Sequence, residues 1–401
     1  MKKLYVAMVG LPARGKSTLA RRIQSGLEQQ GVHTAIFNNG DTRRRLFGVA
    51  SAQSDFFDPA NETAFRNRRN IARLTMEAAR QWLASKGDVA IIDATHSAVS
   101  QRQDLMDYLN DFPVMFIECQ TRDTELLDDF IRRKAQLPEF ASMTAAAALR
   151  SFRERIAHYV SVYSPLSTEP CWIRTDVTDC CILAEAPSSA IPYYSAIRSI
   201  VTSRWVNNLY LVRHGETVYN MENRIGGDPE LSPEGLRQAK LLARYFRGVS
   251  IPYIFTSTRL RSVQTASPLL ADRPIGTGIS LEDFDELHAG ICEGMRYEDI
   301  KRTMPQEYAA RTKDKYHYTY PEGESYERLQ ERVARGLRRA LFTAGEDALM
   351  IVGHQAINRT ILSLFLAHRP EDIPYLHVPQ NQLYHITITQ GKKLFEMIRY
   401  A

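Results

Sequence analysis

Leu4-Tyr5-Val6-Ala7-Met8-Val9-Gly10-Leu11-Pro12-Ala13-Arg14-Gly15-Lys16-Ser17-Thr18 sets a short apolar run directly before a glycine-spaced turn that ends in Lys-Ser. Six apolar residues suit a buried strand. The spacing of Gly10, Gly15, Lys16 and Ser17 is that of a P-loop, whose backbone N–H groups turn inward around phosphates at the start of a helix. Lys16 is then the candidate to reach the β- and γ-phosphates, and Ser17 the candidate ligand of Mg2+. Val89-Ala90-Ile91-Ile92-Asp93 is a further apolar run ending in an acid, as a second metal carboxylate requires, and Thr95 follows within reach of a bound substrate. No guanine-reading motif stands out, so ATP is the expected donor. A phosphoryl acceptor needs cations; Arg43, Arg68, Lys134, Arg155 and Tyr159 are candidates that spacing alone does not select.

Outward from this loop, strands are predicted at 4–9, 34–38, 89–93 and 113–119, and helices at 16–30, 62–86, 100–110, 124–135 and 144–162. Such alternation argues for a parallel sheet covered on both faces. Residues 166–206 are richer in Ser, Pro and Thr; they read as one strand near 171–175 and a connector with a helix near 190–203. The alternation restarts at 207, with strands near 208–212, 253–256, 347–352, 383–388 and 394–399 and helices near 233–247, 260–270, 325–344 and 355–367. The expected fold class is α/β, in two three-layer domains: 1–170, a connecting stretch 171–206, and 207–401.

The second half carries different chemistry. Arg213-His214-Gly215-Glu216 closes the run Leu209–Val212, and Thr256-Ser257 with Arg261 and Leu349–Gly353 with His354 close two others. Strand C-termini of an open α/β sheet gather at one edge, where ligands bind. Two arginines and two histidines there would surround a phosphoryl group with donors and positive charge, and a neutral imidazole is a competent nucleophile toward phosphorus. Glu286 is the candidate proton donor to a leaving alkoxide.

The 401 residues are 44% hydrophobic and 24% charged, the composition of a globular chain long enough for two cores. A net charge of +5 does not by itself imply nucleic acid. The clusters Arg43–Arg45 and Arg66–Arg69 could suggest RNA or a solvated helix face; following a P-loop, they fit an anion site for a phosphorylated small molecule better. Cys119, Cys171, Cys180, Cys181 and Cys292 show neither metal-ligand spacing nor a disulfide framework, which suits a reducing compartment. The N-terminus looks superficially like a signal peptide but leads straight into the P-loop, and no run approaches the ~18 apolar residues of a membrane span. The expected location is the cytoplasm, without membrane or nucleic-acid partners.

The wording of the motifs adds a resemblance. Gly10–Ser17, then Phe37-Asn38-Asn39-Gly40-Asp41-Thr42-Arg43-Arg44, Phe56–Asn61 and Asp93-Ala94-Thr95 follow the order seen in the bifunctional 6-phosphofructo-2-kinase/fructose-2,6-bisphosphatases. Arg224–Asp228 and Tyr320–Tyr326 are similar to the same family, and 207–400 alone resembles the histidine phosphatase (phosphoglycerate mutase-like) superfamily. The resemblance implies an N-terminal P-loop NTPase fold and a C-terminal phosphoglycerate mutase-like fold. It implies a kinase using MgATP, a phosphatase that needs no cofactor, sugar phosphates as substrates, and a homodimer. It makes Arg43, Arg68, Thr95, Lys134, Arg155 and Tyr159 the fructose 6-phosphate pocket and Asp93 the acid at the 2-hydroxyl and the metal. In the second half it makes His214 the phosphorylated nucleophile. Arg213, Asn220, Arg261 and His354 hold the phosphoryl group, Glu286 is acid then base, and Gly226, Tyr297, Arg311, Lys315, Tyr326, Gln355 and Arg359 line the sugar bisphosphate site. Some positions depart from the family: Gln101 stands where an arginine for the sugar phosphate is usual, with Arg102 as its candidate substitute, and Thr121 and Asp129 replace a cysteine and an asparagine near the nucleotide.

Two further readings stay open on the sequence. The pair could act on another sugar phosphate or on a polynucleotide end, or the first half could serve as a nucleotide sensor for an active phosphatase.

Overall fold

Buried apolar strands build two separate sheets. In the computed structural model, which describes residues 2–271, 273–274, 277–366, 368–389 and 391–401, the chain divides into the units Met1–Arg204 and Trp205–Ala401. The first sheet contains β1 (Leu4–Val9), β2 (Thr34–Asn38), β3 (Val89–Asp93), β4 (Val114–Gln120), β5 (Trp172–Asp176) and β6 (Cys181–Ala186), in the order β2-β3-β1-β4-β5-β6. Strands β1 to β5 are parallel, and β6 returns antiparallel to β5. Every residue of β1 and β3 is buried, which is why both read as unbroken apolar runs. Helices Lys16–Glu28 and Glu62–Ser85 pack on β2 and β3. The register sets Asn38 beside Asp93, so two polar strand ends meet next to the P-loop.

The second sheet contains β7 (Val206–Arg213), β8 (Tyr253–Thr256), β9 (Gly278–Ser280), β10 (Leu349–Gly353), β11 (Gln382–Ile388) and β12 (Lys393–Arg399), in the order β12-β11-β7-β10-β8-β9. Strands β7, β10, β8 and β9 are parallel; β11 and β12 form an antiparallel edge. Gly353 pairs with Arg213 and Val352 with Thr256. Three adjoining strands therefore end level, and whatever follows each of them is delivered to one place.

Both units are α/β, as expected. The differences lie in short elements. The stretch read as one strand and a connector carries two strands of the first sheet, β5 and β6, before helix Tyr194–Thr202. Their turn contains no glycine; Asp176 closes it by accepting the N–H groups of Thr178 and Asp179 and the Thr178 hydroxyl. Helix Asn39–Phe47 begins in Asn-Asn-Gly-Asp, a turn-like string, because the Asn38 side chain accepts the Asp41 N–H and caps it. Helices Tyr297–Thr303 and Pro305–Lys313, and the three-residue β9, also went unpredicted. The helix predicted at 355–367 is Gln355–Phe365; residue 367 lies outside the described residues.

Candidate active sites

The first site grows from the end of β1. Gly10 has φ 131° and its N–H donates to Thr95 O at 2.9 Å. A Cβ on Gly10 would lie 2.6 Å from Cys119 O, so only glycine fits between the loop and β4. Residues 11–14 bridge to Gly15 (φ 78°), which opens helix Lys16–Glu28 with Ser17 and Thr18 in its first turn. The Lys16 ammonium donates to Leu11 O at 2.7 Å across the loop; its burial pulls its pKa down to about 8, against the pull of Asp93. Ser17 donates its hydroxyl to Asp93 Oδ2 at 2.6 Å, and Asn38 Nδ2 donates to the same oxygen at 2.5 Å. A serine hydroxyl and a carboxylate in contact at the head of the loop are hard oxygen donors, the type Mg2+ takes alongside phosphate oxygens and water.

Beside this loop lies a cluster of arginines around an aromatic ring. The Arg155 guanidinium sits 3.8 Å from the Phe57 ring centre, Arg43 5.3 Å from it, and the Tyr159 ring 5.9 Å away. Burial lowers the pKa of Arg155 to about 10, still far above neutrality. Arg68 donates to the carbonyls of Phe56 and Asp58. Arg68 and Tyr159 line a groove of about 1060 Å3 that also meets Phe57, His96 and Gln101. Lys134, at the end of helix Thr124–Lys134, lies within electrostatic reach of Asp93 and Arg155, and Thr95 follows β3. The sequence-predicted acceptor residues thus fall in one neighbourhood, with one exception.

Arg102 is that exception. It is 1% exposed, its Nε donates to Glu169 Oε1 at 2.5 Å, and its NH1 donates to His96 O and Ser164 O at 3.0 Å each. A guanidinium tied to a buried carboxylate and two carbonyls is an internal strut; it does not replace the missing groove arginine. Gln101 instead accepts the Ala98 N–H and caps its own helix, Val99–Tyr108. Sequence reading also missed His96, which takes a positive φ of 39°, lines the groove, and lies with Nδ1 2.7 Å from Met8 O. A carbonyl only accepts, so Nδ1 carries the proton; burial holds the pKa near about 4, and the ring is neutral.

The second site follows from the level strand ends. His214 succeeds β7 and donates its backbone N–H to Gly353 O at 3.0 Å; His354 succeeds β10, and the two ring centres are 5.1 Å apart. The His214 Nδ1 lies 2.7 Å from Gly215 O, which places the proton on Nδ1 and the lone pair on Nε2. Burial, then the guanidiniums of Arg261 and Arg213, hold its pKa well below 6.5, so the ring is neutral at physiological pH. His354 Nε2 pairs with Ser257 Oγ at 2.7 Å, a partner supplied by the end of β8 that the sequence reading had quoted without a role. The Glu286 carboxylate sits at the start of helix Gln355–Phe365 and accepts the N–H groups of Gln355, Ala356 and Leu287. Three backbone donors fix its position.

These groups face a cavity of about 220 Å3 lined by Arg213, His214, Asn220, Gly226, Arg261, Glu286, Tyr297, Arg311, Lys315, Tyr326, Gln355 and Arg359. His354 is fully buried beside His214 and is not among the lining residues. The cations are pre-set: Arg213 donates to Val378 O, Arg261 to Gly227 O, Arg359 to Leu376 O, and Lys315 to Pro374 O. Tyr320 was missed; it lines the cavity and accepts from Arg311 Nε at 2.5 Å.

Comparison with known proteins follows the same division. Residues 1–172 match the 6-phosphofructo-2-kinase family, and residues 209–400 match the histidine phosphatase superfamily (branch 1). The human protein named 6-phosphofructo-2-kinase/fructose-2,6-bisphosphatase 3 is 31% identical over 398 residues, 95% of this chain and 74% of its own length. The chain belongs to the 6-phosphofructo-2-kinase/fructose-2,6-bisphosphatase family. A family member of the same name from Caenorhabditis elegans is 32% identical over 95% of this chain and 86% of its own. Among solved structures, the alpha-ribazole phosphatase from Shigella flexneri aligns with 48% of this chain and 96% of its own, at 24% identity and a TM-score of 0.45. In this bifunctional 6-phosphofructo-2-kinase/fructose-2,6-bisphosphatase family member, the P-loop site falls inside the kinase match and the paired histidines inside the phosphatase match.

Proposed function

We infer that this chain makes and removes one phosphate ester. The first unit transfers the γ-phosphoryl group of ATP to O2 of fructose 6-phosphate, and the second hydrolyses fructose 2,6-bisphosphate to fructose 6-phosphate. One observation carries the reading: a P-loop with Ser17 on Asp93 and a neutral His214 ringed by Arg213, Arg261 and Glu286 occur in one polypeptide of this family.

In the first unit, the loop N–H groups and Lys16 would hold the nucleotide phosphates, and Ser17 with Asp93 would hold Mg2+. Mg2+ bound there supplies charge that neutralises the transferring phosphoryl group. Arg43, Arg68, Arg155, Lys134 and Tyr159 hold the sugar phosphate, and Asp93 faces the 2-hydroxyl. Positioning and charge carry the catalysis of a loose transition state. In the second unit, His214 Nε2 attacks the 2-phosphorus. The N–P bond forms, the P–O2 bond breaks, and Glu286 gives its proton to the departing sugar oxygen. Water then attacks the phosphohistidine, returns a proton to Glu286, and releases inorganic phosphate. Arg311, Lys315 and Arg359 supply the cations a 6-phosphate needs. Among the described residues no helix is long and apolar enough to cross a membrane, and all five cysteines are free. The free cysteines suit a reducing compartment such as the cytoplasm.

Incubation with ATP, Mg2+ and fructose 6-phosphate, followed by phosphorus NMR, is expected to give a product phosphorylated at O2. Phosphate at another position, or ATP turnover indifferent to the sugar, would sink the reading.

The bisphosphate site also has a pH signature. Burial, helped by Arg311 and Arg359, lowers the Lys315 pKa to about 8. Phosphate favours the charged lysine, so binding takes up a proton once the free enzyme has lost it. KM for fructose 2,6-bisphosphate is therefore expected to rise above pH 8, by up to about tenfold per unit. Lys315→Arg, charged throughout, should abolish that limb. The same rise in the arginine variant would assign it to another group.

A further inference from the structure

The kinase acceptor cluster holds an anion of its own. Glu139 lies on the short turn Pro138–Phe140, and its side chain is 9% exposed. Arg43 NH2 donates to its Oε2 at 2.5 Å, Arg44 NH1 approaches the same oxygen at 3.4 Å, and Arg155 NH1 lies 3.8 Å from Oε1. Lys134 also feels its charge. One carboxylate thus faces four cations, three of which belong to the acceptor pocket under the function proposed above. Asp41 pairs with Arg44 from the outer side, and the remaining cations around one monoanion still leave a surplus of positive charge, which suits a phosphate. The Phe57 ring under Arg43 and Arg155 fixes both guanidinium planes from the other side.

The turn that carries Glu139 is anchored at its neighbour and not at the carboxylate. Phe140 is buried and packs edge-on against Phe152 at 6.1 Å. Among the described residues, the Glu139 oxygens pair with Arg43, Arg44 and Arg155 alone. Rotation of the Glu139 side chain would break these arginine contacts and would not require Phe140 to unpack from Phe152.

We propose that Glu139 is an internal substitute for the acceptor phosphate: it occupies the arginine cluster, and the sugar phosphate binds by displacing it. The proposal rests on the reading of Arg43 and Arg155 as phosphate ligands. Its consequence is arithmetic. An acceptor that must compete with a tethered anion binds with its intrinsic affinity reduced by the fraction of open clusters. Glu139 then sets the acceptor concentration at which the kinase works and discriminates against sugars without a phosphate, which lack the charge to displace it.

The test compares full-length unmodified protein, Glu139→Gln and Glu139→Asp. Glu139→Gln keeps the shape and removes the charge; KM for fructose 6-phosphate is expected to fall about tenfold, with KM for ATP and phosphatase kcat unchanged. Glu139→Asp, a shorter carboxylate, should fall in between and guards against misfolding of the first variant. Inorganic phosphate should raise the melting midpoint of both variants more than that of the unmodified protein. This second readout does not depend on which sugar is the substrate. If no protein turns over fructose 6-phosphate but phosphate still favours the variants, the function fails and the anion substitute stands. If the unmodified protein is an active kinase and KM for the sugar is unchanged or higher in both variants, Glu139 merely orients the arginines and the proposal is overturned.

Discussion

His214→Ala is expected to lower fructose-2,6-bisphosphate hydrolysis on the order of 10^4-fold or more, about 5.5 kcal/mol in barrier height. Kinase turnover should stay within about twofold, as for independent sites. The size follows from the geometry. Among the described residues, Nε2 of His214 is the one imidazole nitrogen on the cavity wall: its other nitrogen is fixed on Gly215 O, and burial, helped by Arg261 and Arg213, keeps the ring unprotonated. His354 is not placed to take over, because its ring is fully buried off the cavity wall with Nε2 engaged by Ser257 Oγ. A transferring phosphoryl group would then have no acceptor but water. Melting curves separate lost chemistry from lost fold, since removing a buried ring leaves a cavity. Trapping of a phosphorylated intermediate at acid-labile nitrogen in the unmodified protein, and its loss in the variant, is the direct check. Hydrolysis that survives in a folded variant would remove His214 from the mechanism.

What was readable in the sequence is what local chemistry dictates. The P-loop could be read because each glycine answers a backbone demand, as Gly10 does against Cys119. Strands β1, β3 and β10 could be read because burial on both faces leaves near-continuous apolar runs, and the residues at or just past their ends are the ones the sites use. What escaped depends on partners remote in the chain. Gln101 and Arg102 look interchangeable by position, yet Glu169, 67 residues away, claims the arginine for the interior. Glu139 gives no local sign that it belongs among Arg43, Arg44 and Arg155; only the packing of Phe140 brings it there. β6 hides behind a turn made by the Asp176 side chain, where pattern reading looks for glycine. His96 sits in a left-handed conformation that its residue type does not announce.

Asp93→Asn is expected to cut fructose 6-phosphate-dependent ATP turnover on the order of 10^3-fold, the scale of removing one preorganised charge from a phosphoryl-transfer site. Phosphatase kcat should be unaffected. Asp93 is 4% exposed, and the side-chain donors Ser17 and Asn38 converge on its Oδ2. Asparagine keeps the size but loses the anion that a hard cation and a transferring proton both require. The loss should fall on MgATP: calorimetry is expected to show weakened binding of MgATP and little change for ATP with chelator present. A second effect travels through Lys16. Its pKa is already drawn to about 8 by burial, and the charge of Asp93 is the largest influence holding it up. Without that charge the lysine gives up its proton at lower pH, so the residual activity of the variant should decline as pH rises through neutrality, while the unmodified kinase holds to nearer pH 8. Restored turnover toward acid pH would tie the two residues into one electrostatic unit. A variant with full kinase activity would place the metal and the 2-hydroxyl elsewhere. An unmodified protein that binds ATP without turning it over, with or without Asp93, would make the first unit a sensor of nucleotide.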